Sequence, residues 1–77
     1  MNYQEFLLWL VNERKMALRS AKDVVSRLKR VTNILGTDVI DDATSTNLSN
    51  SDEFKQYSMF IKSQLRRSIA LYLEYNN

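Results

Sequence analysis

The sequence predicts an all-α fold, a small single-domain bundle of about four helices spanning residues 1–77. Three observations lead there. Apolar residues recur at intervals of three and four, the spacing of one helix face. The chain has no proline and one glycine, so it is poor in residues that build tight turns. No segment alternates apolar and polar residues as a half-buried strand does, and Val39–Ile40 is too short to form one.

The first helix is read over residues 3–14, YQEFLLWLVNER. Tyr3, Phe6, Leu7, Leu10 and Val11 share one stripe, with Gln4, Glu5, Asn12 and Glu13 opposite. Leu8 and Trp9 widen the apolar arc beyond what one core-facing stripe needs, so Trp9 is either a core anchor or an exposed contact. Residues 14–19 join this helix to the next, with Met16 or Leu18 folded inward as a staple.

The central helix is Ser20 to Gly36. Ser20 and Asp23 have the spacing of a capping box with Asp in place of Glu. Gly36 follows the last apolar residue, where a left-handed residue favours the absence of a Cβ. Ala21, Val24, Val25, Leu28, Val31, Ile34 and Leu35 form its apolar face.

Residues 36–50 read as the long loop, rich in Thr, Ser, Asp and Asn. Val39, Ile40 and Leu48 are its apolar pins, and a turn of helix fits within Asp41–Thr46. Ser51 with Asp52 and Glu53 has the character of a helix N-terminus, and Phe54 and Tyr57 supply the buried face of the helix that follows. Ser58 is a candidate break, the alternative being one continuous helix from Asp52 to Tyr75. Beyond it Ile61, Leu65, Ile69, Tyr72 and Leu73 form a core stripe.

Composition narrows the function. The chain has no cysteine and no histidine, which removes disulfides, Cys/His metal sites, thiol nucleophiles and the commonest general base. The only glycine is a helix stop, so there is no glycine-rich phosphate loop, and no Gly-x-Ser-x-Gly elbow is present. Asp38, Asp41 and Asp42 lack the EF-hand spacing and read as a solvated acidic loop. The chain is therefore expected to be non-enzymatic, with no catalytic residue, metal, cofactor or small-molecule substrate. No apolar run approaches the roughly 18 residues of a membrane span, and no basic segment precedes an apolar one as in a signal peptide. A cytoplasmic location without membrane contact is the corresponding expectation.

Net charge is only +2, but the charges are segregated. From Arg14 to Arg30 seven basic residues face one acid, Asp23, whereas from Gly36 to Glu53 there are five acids and no base. Arg19, Lys22, Lys29 and Arg30 come from the central helix, and Lys62, Arg66 and Arg67 from the last. Packed side by side, two such helices would offer a continuous patch for several phosphates at once, the arrangement that counterion release rewards. Ser20, Ser26, Ser63, Gln64 and Ser68 would add short donors for phosphate oxygens.

The runs SAKDVVSRLKRV and IKSQLRRSIALYLEY, with Phe6, Trp9 and Leu10 in the first helix, resemble the N-terminal core-binding, SAM-like domain of tyrosine recombinases and phage integrases. The resemblance implies four helices lying against duplex DNA, with Arg19, Lys22, Lys29, Lys62 and Arg66 at the phosphates. A tyrosine common on that family's second helix is Val24 or Val25 here, and the recombinase's catalytic domain is missing. The chain thus reads as an excised fragment or a free-standing protein on the same fold.

Duplex DNA, held by its phosphate backbone, is accordingly the expected partner, with Arg19, Lys22, Lys29, Arg30, Lys62, Arg66 and Arg67 as contacts. The rival is a small phage- or mobile-element-encoded inhibitor or adaptor that docks on a protein. Leu8, Trp9, Leu71 and Tyr75 would then make the protein interface, or serve a homodimer.

Overall fold

The computed structural model describes residues 2–77, which form five helices and no strand. They are α1 (Tyr3–Asn12), α2 (Leu18–Leu35), α3 (Thr44–Ser49), α4 (Asp52–Lys55) and α5 (Met59–Tyr75). The fifth helix arises because the segment read as a loop contains α3. Its Ser, Thr and Asn residues are weak helix formers, and local hydrogen bonds with one buried apolar residue compensate. The Asp41 backbone N–H donates to Thr44 Oγ1 at 2.8 Å, while Asp41 Oδ1 accepts the Ala43 N–H at 2.9 Å. Leu48 is fully buried and Ile40 nearly so, whereas Val39 stays 62% exposed and pins nothing.

The corner between α1 and α2 corrects the predicted start of the central helix. Lys15 adopts a left-handed backbone with φ of 58°, and the Met16 N–H folds back to the Leu10 carbonyl at 3.1 Å. The chain then re-enters a helix from an extended Ala17, whose carbonyl accepts the Ala21 N–H at 3.0 Å. Helix α2 therefore starts at Leu18, and Ser20 lies inside its first turn without capping it. Met16 supplies the inward contact of this corner; Leu18 remains 54% exposed.

Other boundaries follow from side chains that satisfy free N–H groups. Asn2 accepts from Glu5 N–H at the start of α1, Ser51 from Phe54 N–H at α4, and Ser58 from Ile61 N–H at α5. The break at Ser58 thus separates α4 from α5. Gly36 ends α2 with φ of 67°.

One cluster of apolar side chains joins all five helices. Phe6 and Leu10 of α1, Val24, Leu28 and Val31 of α2, Leu48 of α3, Phe54 of α4, and Leu65 and Ile69 of α5 are its most enclosed members. Helix α2 packs most extensively on α5 and next on α1. Because α5 also meets α1 and α3, its buried arc is wider than one stripe and takes in Ser68 and Leu71. Ser68 is satisfied there by donating to the Leu65 carbonyl at 2.6 Å. Among the described residues no helix is long and apolar enough to cross a membrane.

Candidate nucleic-acid interface

The outward face of α2 carries Arg19, Lys22, Ser26, Lys29, Arg30 and Asn33, all exposed. At about 100° per residue they occupy the arc opposite Ala21, Val24, Leu28 and Val31. Among the described residues the one ion pair is Arg14 Nη1 to Glu74 Oε1 at 3.0 Å, which joins the α1–α2 corner to the end of α5. No carboxylate among the described residues forms an ion pair with a cation of α2. Asp23 lies beside Ser26, Arg27 and Arg30 in a shallow depression without neutralising either arginine.

Helices α2 and α5 run antiparallel. At one end Ser20, Val24 and Arg27 line an open groove of about 360 Å³ with Gln64 and Arg67. At the other the Arg30 guanidinium carbon lies 6.0 Å from the centroid of the Tyr57 ring, just before α5 begins. Arg27 and Arg67 therefore share one groove, and Arg30 continues its basic wall. The phenol of Tyr57 donates to Glu53 Oε2 at 2.7 Å; this hydrogen bond, then desolvation, raises its pKa above 10.0 and keeps it neutral.

The seven predicted phosphate contacts are not brought together. Arg19, Lys22 and Arg30 are exposed on α2, whereas Arg67 lines the groove, where the α2 cation beside it is Arg27. Lys29 leans toward α1, its Nζ 5.1 Å from the centroid of the Tyr3 ring. Lys62 and Arg66 lie on the other flank of α5, where they cover Phe54 at 5.7 and 5.2 Å from its ring centroid. Arg66 Nη2 also donates to Ser49 Oγ at 3.0 Å, tying α5 to α3. These two cations are engaged in packing. Of the short donors, Ser20 and Gln64 line the groove, while Ser68 is buried and self-satisfied.

The predicted protein interface is dispersed as well. Leu71 is 5% exposed and belongs to the core. Trp9 and Tyr75 pack on each other and on Phe6, with centroid separations of 5.6, 6.3 and 5.4 Å. The Tyr75 phenol donates to Glu5 Oε2 at 3.4 Å, closing the end of this aromatic cluster. Only Leu8 is well exposed, on the outer side of α1.

Arg27 of the groove and the exposed Phe60 of α5 were not singled out from sequence. Arg27 falls between the exposed and buried arcs of α2, so its direction has meaning only once α5 is placed beside it. Phe60, which lies outside the core stripe read for this helix, is 66% exposed. The chain matches no protein-family model, no curated protein and no solved structure.

Proposed function

We propose that this protein binds duplex DNA through phosphate contacts made by the outward face of α2 and the arginines of the α2–α5 groove, without catalysis of its own. Arg19, Lys22, Arg27, Arg30 and Arg67 are the contacting cations, with Lys29 at the edge. The observation that carries this reading is the run of α2 cations without carboxylate partners, continued by Arg67 across the groove. An array of unpaired guanidinium and ammonium groups on one surface suits a polyanion, because several condensed counterions are released together. Such contacts fix the position of the protein on the backbone and carry little sequence information. The fold type is proposed to be that of a recombinase core-binding domain, which the helix order and the basic central helix support. Lys62 and Arg66 are excluded from the contact set.

Affinity capture from host lysate with and without nuclease tests the reading. Partners lost on nuclease treatment support it. A stoichiometric protein retained after treatment, with no nucleic acid bound, overturns it in favour of an adaptor or inhibitor.

A further inference from the structure

Phe60 is the aromatic side chain most open to solvent among the described residues, at 66% exposure. Its neighbours in the chain explain why this is unusual for the fold. The helix is capped by Ser58 two residues earlier, and Ile61 and Leu65 turn inward, so Phe60 contributes little to the core. Phe60 precedes Gln64 by four residues and Arg67 by seven, which sets the three along one strip of α5. Gln64 and Arg67 line the groove with Ser20 and Arg27, and Tyr57, three residues before Phe60, lies under Arg30. Along the antiparallel pair Phe60 thus falls, by its place in the chain, between these two levels.

An exposed ring on the strip of α5 that carries Gln64 and Arg67, with Arg27 and Arg30 on the facing helix, offers two different attractions to one ligand. The guanidinium groups hold phosphates, and the ring face accepts a planar, apolar surface. A base pair in the interior of a duplex shows no free face, because both are stacked on its neighbours. An unpaired base does, and stacking on an aromatic side chain is tolerant of its identity. We infer that Phe60 is a stacking platform for an unpaired nucleobase, with the adjoining phosphates held by Arg27, Arg30 and Arg67. The inference rests on the phosphate-binding reading above and adds a preference: DNA with single-stranded character, such as a duplex carrying a tail, is bound more tightly than the same duplex with blunt ends.

Fluorescence anisotropy with two labelled probes, a blunt duplex and the same duplex with a single-stranded thymine tail, separates the possibilities. The parent protein is expected to favour the tailed probe. Phe60→Ala and Phe60→Leu should weaken the tailed probe roughly tenfold, and Phe60→Tyr should retain it. Blunt-duplex affinity should be unchanged in all three, because the ring makes no phosphate contact. The exposure of Phe60 predicts that these variants fold, which circular dichroism checks. Equal affinity of the parent for both probes, or of Phe60→Leu and parent for the tailed one, overturns the stacking role while leaving duplex binding intact. Failure of the parent to bind either probe at low salt overturns both readings together.

Discussion

The guanidinium of Arg30 lies over the ring of Tyr57 at 6.0 Å, joining the second half of α2 to the residue before the cap of α5. That contact lies at one end of the packed α2–α5 pair. Farther along the pair Arg27 lines the groove with Gln64 and Arg67. Tyr57→Ala is expected to weaken DNA binding severalfold by loosening Arg30, whereas Tyr57→Phe, which keeps the ring, should bind as the parent does. Anisotropy titrations of the two variants check this.

The α2–α5 contact is also the centre of stability. Leu28 and Leu65 are 0% and 1% exposed, and a domain of this size has little stability to spare. Leu→Ala at either position should cost about 2–5 kcal/mol from lost transfer energy and the cavity left behind. Urea unfolding of the purified variants measures it. A midpoint equal to the parent's would place these side chains outside the core.

Capping separates Ser58 from Ser20. Ser58 Oγ accepts the Ile61 N–H at 3.2 Å, so Ser58→Ala should cost about 1 kcal/mol. Ser20 makes no cap, so Ser20→Ala should be neutral within about 0.5 kcal/mol. A loss at Ser20 as large as that at Ser58 would move the start of α2.

Two left-handed residues behave in opposite ways. Gly36 has φ of 67° and open space around the position of a Cβ, so Gly36→Ala meets backbone strain alone and should cost about 1 kcal/mol. Lys15 adopts φ of 58° with a side chain, so Lys15→Gly should be neutral or stabilising. Thermal melts of the pair give the signs.

Alkaline pH should destabilise the protein through two tyrosines. Burial raises the Tyr75 pKa, helped by the Glu5 carboxylate, and the hydrogen bond to Glu53 raises that of Tyr57. The folded state therefore holds these protons more tightly than the unfolded chain, whose tyrosines titrate near 10. The stabilisation is complete below that pH and is lost as pH rises through the folded values. Denaturant midpoints should fall less steeply above pH 10 in the Tyr57→Phe, Tyr75→Phe double variant.

Much of the fold is legible in the sequence because its signals are local. The apolar spacing of α2, the Gly36 stop and the serine caps at Ser51 and Ser58 each act within a few residues of themselves. Helix α3 is legible only as a turn within Asp41–Thr46; it runs on to Ser49 because Leu48 finds the core and Asp41 pairs with Thr44. The start of α2 is hidden for a related reason: it depends on Lys15 entering a conformation few side chains favour. For the site, charge segregation points to α2, but charge cannot tell which flank of α5 faces it. Arg66 and Arg67 are adjacent in sequence, yet one is tied to Ser49 and the other lines the groove. That distinction belongs to tertiary packing alone.

The most direct test of phosphate binding is the salt dependence of affinity for a blunt duplex. With the five cations named above each neutralising one phosphate, log K should fall against log salt with a slope near −4.5, at about −0.9 per contact. The Arg27→Ala, Arg67→Ala double variant should reduce that slope by about two units, while Lys62→Ala should leave it unchanged. A slope near zero, or no binding at low salt at concentrations above the usual non-specific range, would contradict the account.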